Sequence, residues 1–159
     1  ESVAQYFGKK VLREVPESEF YGEIAAVRKR VGDRAVLRAM HFYADNARVL
    51  KEVDALRAGD FETFKQYILE SGNSSYMYNQ NVFSVKKPQE QPVSLALALS
   101  QRVLAGRGAW RVHGGGFAGT IQAFVPLDLL DTYKSEIERV FGEGACYVLS
   151  IRPVGGTEI

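Results

Sequence analysis

The most informative stretch of this chain is residues 108–119, which read GAWRVHGGGFAG. Three consecutive glycines, Gly114 to Gly116, follow a short run in which side chains of different character alternate. Glycine loses more backbone entropy on folding than any other residue, so we expect such a run where φ is positive or where another group approaches the main chain. The stretch therefore predicts a strand that leads into a tight loop.

The residues on either side of this loop predict a thin sheet. Alternating apolar residues, with Gly or Pro at the boundaries, predict strands at 109–113, 120–125 and 145–151. Residues 114–119 are too few for a parallel crossover, which needs about a dozen residues, so we expect the first two strands to pair antiparallel. The third strand is compatible with either direction.

Helical spacing of apolar residues accounts for most of the remaining chain. Helices are predicted over 17–31, 33–58, 61–71, 92–106 and 127–141. Gly32 and Gly59 are expected to end the first two, Asp33 and Asp60 to cap the next ones, and residues 72–75 to interrupt the third. Helices in the first two thirds, followed by a strand, strand, helix, strand series, predict an α+β domain.

Two further features of the pattern concern packing and connections. Residues 33–58 carry apolar stripes on two sides, which predicts a largely buried helix. Residues 1–16 and 83–92 read as connectors, the second because of Pro88 and Pro92.

Composition limits the classes of function. The chain has 159 residues, 46% of them hydrophobic, and its 20 Lys and Arg against 19 Asp and Glu give a net charge of +1. Because this net charge is so small, we expect the chain to bind neither nucleic acid nor an acidic membrane surface.

The sequence also bears on where the protein is found. The longest near-apolar run, 93–99, is far shorter than the roughly 20 residues needed to cross a bilayer. A single cysteine, Cys146, favours a reducing compartment, and we expect a cytoplasmic protein. Because the chain begins with Glu1, we expect it either to derive from a longer one or to be a processed or tagged form.

Residues 108–119 resemble the third motif of the GHMP kinases, and specifically of galactokinases, which reads Gly-Ala-Arg-Met-Thr-Gly-Gly-Gly-Phe-Gly-Gly. His113 stands at the Thr of that motif and Ala118 at a Gly, and this chain has one extra residue in the strand. Residues 38–50, with Arg38, His41 and Arg48, resemble a long family helix that reads Arg-His-Val-x-x-Glu-x-x-Arg-Val. Residues 71–75 resemble the family's Ser-His-x-Ser-Leu.

This resemblance implies a GHMP kinase C-terminal domain over 17–159, a small and mostly antiparallel sheet packed with helices. Residues 1–16 would be a linker or a remnant of the N-terminal domain. The N-terminal catalytic half of the protein would be absent from this chain. The implied activity is that of a transferase in galactose metabolism, a kinase that moves the γ-phosphate of ATP to the anomeric hydroxyl of galactose or a related sugar. The absent half would bind most of the ATP and Mg and would carry the acting Asp and Arg, so we expect no catalytic residue here and an inactive isolated chain.

The resemblance also implies a site. The substrate or phosphate loop would consist of His113, Gly114, Gly115, Gly116, Phe117, Ala118 and Gly119. Successive backbone N–H groups can form a concavity that binds an anion. A strained loop packed against a neighbouring loop explains the same glycines from the residues alone. For a ligand site, we expect Val at Gly115 or Gly116 to abolish turnover while much of the fold survives.

Other functions fit the same residues. A non-catalytic, galactokinase-like sugar-sensing or regulatory module stays open, because the residues that separate it from a kinase lie upstream. A His before several glycines is also typical of an esterase oxyanion loop, but the sequence has no Gly-x-Ser-x-Gly. His41, His113 and Cys146 lack the short spacings of zinc ligands, so no metal site is predicted. We interpret His41 as a helix-packing residue.

Overall fold

The computed structural model describes residues 1–117 and 119–151. Its helices are α1 (Ser2–Tyr6), α2 (Glu17–Gly22), α3 (Ile24–Val31), α4 (Asp33–Arg57), α5 (Phe61–Ser74), α6 (Pro92–Leu104) and α7 (Leu130–Phe141). Its strands are β1 (Ala109–Arg111) and β2 (Gln122–Phe124), and single turns of tighter or wider helix lie at Leu12–Glu14, Leu127–Leu129 and, as a π-helical turn, Ser75–Asn79. A mostly helical chain with a small antiparallel sheet agrees with the α+β class.

The first core joins the N-terminal helices. Val3 and Val15 are buried with Phe20, Val27 and Tyr43, and the Tyr43 hydroxyl donates a hydrogen bond to the Val15 carbonyl at 3.0 Å. Residues 1–16, predicted as a connector, therefore pack as part of this core, because most of their apolar residues turn inward. The domain boundaries taken from the resemblance stay predictions.

The predicted helix 17–31 is two helices. The chain breaks between α2 and α3 at Glu23, whose φ of −108° and ψ of 13° leave the helical region. Gly22, a poor helix former, stands directly before the break. Asp33 does not cap α4: it lies in the first turn and pairs with Arg28. Asp60 caps α5 as predicted, accepting a hydrogen bond from the Thr63 N–H at 3.0 Å.

Helix α4 has nearly the predicted bounds but not the predicted burial. In its second half Val49, Leu50, Val53 and Leu56 are all exposed. The elements packed on this helix within the described residues, mainly α3, α5 and the π-helical turn, cover its other side. The two apolar stripes therefore do not make a buried helix.

Residues 72–75 do not interrupt α5, which runs on to Ser74 and into the π-helical turn. Gly72 instead allows α5 to lie against β1. A Cβ on Gly72 would be 3.0 Å from the Trp110 carbonyl oxygen and 3.0 Å from the Arg111 Cβ. The glycine is explained by close packing of a helix on a strand rather than by a helix end.

The first two strands pair antiparallel as predicted, with Ala109 opposite Phe124 and Arg111 opposite Gln122. Each is shorter than expected: the paired residues are 109–111 and 122–124 rather than 109–113 and 120–125. The third predicted strand, 145–151, does not form: Leu149 is 87% exposed, and a groove of about 620 Å³ separates this segment from β2. The described sheet consists of β1 and β2 alone, and this segment shares no ladder hydrogen bonds with it.

Within the described ranges, no helix has both the length and the hydropathy that crossing a bilayer requires.

Candidate substrate loop

The glycine loop connects the two strands and is fixed at both ends. Val112, directly after β1, is buried with Val82 and Val93, and Ile121, directly before β2, packs on the same cluster. The two anchors keep the ends of the loop close together over the start of α6. The intervening glycines can then adopt the backbone conformations that the tip of the hairpin requires.

Positive φ is confirmed at several of the predicted loop residues. Gly114, Gly116 and Gly119 have φ values of 85°, 68° and 84°, and Phe117 has a φ of 57° although it is not a glycine. Gly115 lies outside the left-handed region. Ala118, also predicted for the site, lies outside the described residues.

Gly115 and Gly116 differ in what surrounds them. A Cβ on Gly116 would be 2.2 Å from the Asn81 carbonyl oxygen, so its replacement would force that backbone to move. A Cβ on Gly115 would meet nothing within 4 Å. Packing against a neighbouring segment thus explains Gly116, whereas no contact within the described chain explains Gly115. The expectation that Val at Gly116 leaves much of the fold intact conflicts with this geometry.

His113 and Phe117 are the large side chains of the loop, and both are exposed. Partial desolvation, assisted by the nearby Arg111 guanidinium, lowers the pKa of His113 below 6.5, while Asp45 and Glu52 act in the opposite direction. The lowered pKa favours the neutral form of the imidazole. A neutral imidazole can both donate and accept a hydrogen bond, as recognition of a hydroxyl requires.

An ion pair lies at the end of the strand that leads into the loop. Arg111, the last residue of β1, pairs with Glu52 of α4 at 3.2 Å and also donates to the Gln122 side chain at 3.1 Å. Both charged side chains are largely buried. The sequence gives no signal for this pair, because the two residues are far apart along the chain.

Two α4 residues that carry the family resemblance contact the end of α5 and the π-helical turn. Arg38 Nε donates to the Asn79 carbonyl at 2.9 Å, and His41 Nδ1 lies 3.0 Å from Ser74 Oγ. Burial lowers the pKa of His41, partly offset by Asp45, whose carboxylate lies 4.0 Å from Nε2. Because Ser74 is buried, this Ser, His, Asp series packs helices rather than meeting a substrate.

Three other aspartates of the chain, Asp45, Asp60 and Asp128, already have partners. Asp45 accepts from Arg48 at 3.0 Å, Asp60 caps α5, and Asp128 receives both guanidinium nitrogens of Arg107 at 2.8 and 3.0 Å. No group of three or more His, Cys, Asp or Glu in the described part of the chain is arranged to hold a metal ion.

Comparison with known proteins gives the class that this chain resembles, the galactokinases, and confirms the resemblance drawn from the glycine loop. The galactokinase of Mannheimia succiniciproducens is 31% identical over 137 residues, and that of Glaesserella parasuis serovar 5 is 32% identical over 137 residues. Each match covers 86% of this chain and 34% of the relative, so the chain spans about a third of the length of these proteins. No family model matches the chain.

Proposed function

We propose that this chain is the C-terminal part of a galactokinase-like sugar kinase, and that residues 113–119 border its substrate. The complete protein would transfer the γ-phosphate of ATP to the anomeric hydroxyl of galactose or a related sugar. In this proposal residues 17–159 form the C-terminal domain of a cytoplasmic enzyme, and a further domain provides the rest of the site.

The observation that carries this proposal is the environment of Gly115. No positive φ and no neighbouring atom within the described chain requires a glycine there. When nothing within the chain requires a glycine, a ligand that approaches the main chain closely explains why a side chain is absent there. The adjacent backbone N–H groups would then face an anionic or hydroxyl-bearing ligand.

The chemistry of phosphoryl transfer suits such a contribution. Its catalysis consists mostly of positioning and of electrostatic stabilisation, and backbone N–H groups supply both without a reactive side chain. The neutral imidazole of His113 would hydrogen-bond a sugar hydroxyl. As the resemblance to galactokinases implies, ATP and Mg would be bound mainly by the remainder of the protein.

The test is ATP-dependent phosphorylation of a panel of aldohexoses, measured as ADP release, by the longer protein and by this chain alone. We expect turnover by the longer protein and none by the chain. Sugar binding without ADP release, detected by calorimetry, would instead favour a sugar-sensing module. If the longer protein neither bound nor phosphorylated any aldohexose, the proposal would be refuted.

A further inference from the structure

Asn81, which the sequence does not single out, lies directly against the glycine loop. The residue is 1% exposed. Its carbonyl oxygen accepts the Phe117 N–H at 2.9 Å, and the same oxygen is the atom that a Cβ on Gly116 would strike. Asn81 thus contacts the loop just beyond Gly115, at the point where the loop has no room for a side chain.

A buried hydrogen bond fixes Asn81 in turn. Ser75 Oγ donates to Asn81 Oδ1 at 2.7 Å, and both residues are buried. Ser75 begins the π-helical turn, and π-helical turns occur frequently at functional sites. The chain of contacts runs from that turn through the Asn81 side chain and carbonyl to the loop.

Unusual backbone conformations lie on both sides of this contact. Gln80, with a φ of 54°, and Phe117, with a φ of 57°, are the non-glycine residues with positive φ in the described ranges. One precedes Asn81 and the other follows Gly116. Such conformations persist only where surrounding contacts determine them, and they concentrate at binding and catalytic sites.

We propose that Asn81 is a positioning residue, which sets the height of the glycine loop over the substrate, and that Ser75 fixes its orientation. The inference rests on the proposed function, because the position of the loop affects turnover only if the loop borders the reacting groups. A displacement of about 1 Å in such a site can lower a rate by about a hundredfold.

Two neighbouring serines provide a matched test. Ser75→Ala removes the hydroxyl that holds Asn81, whereas Ser74→Ala removes an equally buried hydroxyl that contacts His41 instead. We expect similar losses of melting temperature for both variants. In the longer protein, Ser75→Ala should lower kcat by about tenfold or more with little change in the KM for ATP, and Ser74→Ala should leave kcat within about twofold of wild type.

Amide hydrogen exchange in this chain gives a second readout, independent of activity. We expect the Phe117 amide, bonded to Asn81, to exchange faster in Ser75→Ala than in Ser74→Ala. Equal kcat values for the two variants in an active protein, or equal Phe117 exchange, would overturn the inference. A wild-type protein that phosphorylates no sugar would refute the proposed function instead, and the exchange of Phe117 would then alone decide whether Ser75 and Asn81 hold the loop.

Discussion

Glu52 of α4 and Arg111 of β1 form an ion pair across 3.2 Å, with side chains 13% and 9% exposed. The pair joins the longest helix to the strand that enters the glycine loop. Arg111 also donates to Gln122 of β2, so one guanidinium connects the helix with both strands of the hairpin. The position of the loop therefore depends on α4 as well as on the strands.

Replacement of Glu52 by Gln should destabilise the fold by about 3 kcal/mol, because it leaves the Arg111 charge largely buried without its counter-ion. Chemical denaturation followed by fluorescence of the single tryptophan, Trp110, measures this change. The exposed pair between Asp54 and Arg57 provides a control, and Asp54→Asn should have no measurable effect. Equal stability of Glu52→Gln and wild type would show that the ion pair does not hold the hairpin.

Gly72→Ala should lower stability by about 1 kcal/mol, although alanine is the better helix former, because the new methyl group meets the backbone of Trp110 and the Arg111 Cβ. Gly22→Ala is the matched variant, since a Cβ there meets nothing within 4 Å. A gain in melting temperature for Gly72→Ala equal to that for Gly22→Ala would contradict the close packing of α5 on β1.

Stability should fall as the pH decreases below about 6.5, since both histidines have a lowered pKa in the folded chain. The unfolded chain then binds more protons than the folded one, which favours unfolding. Carboxylates such as Asp60, whose pKa lies below the ordinary aspartate value of 3.8, affect stability only at lower pH. Melting temperatures between pH 7.5 and 5.5 should therefore depend less on pH in His41→Gln than in wild type. An identical slope in the variant would show that burial of His41 does not control this dependence.

Local signals in the sequence predicted much of the fold. Gly32 and Gly59 mark the ends of helices, Asp60 caps α5, and the short connection correctly gives an antiparallel β1 and β2. Patterns of this kind do not reveal which surface covers a segment. The strand expected at 145–151 has no paired neighbour among the described residues, and the apolar stripe through Val53 is exposed.

The glycines identify the candidate loop in the sequence, but no sequence pattern identifies the residues that hold it. Asn81 and Glu52 are inconspicuous in sequence, and each acquires its contact only when distant segments meet. The pattern at residues 72–75 predicts an interrupted helix, since a close approach of two backbones and a break in a helix both favour glycine. The structure distinguishes these roles by what lies next to each residue.

Comparison of Gly115→Ala with Gly22→Ala in the proposed complete kinase examines whether the loop borders the substrate. Both substitutions add a methyl group at an open position without positive φ, and only the first lies in the loop. We expect Gly115→Ala to keep the wild-type melting temperature and to lose about tenfold or more in kcat/KM for sugar phosphorylation, or about 1.4 kcal/mol of transition-state stabilisation. Gly22→Ala should retain full activity. Wild-type kcat/KM in Gly115→Ala would contradict a substrate at this loop.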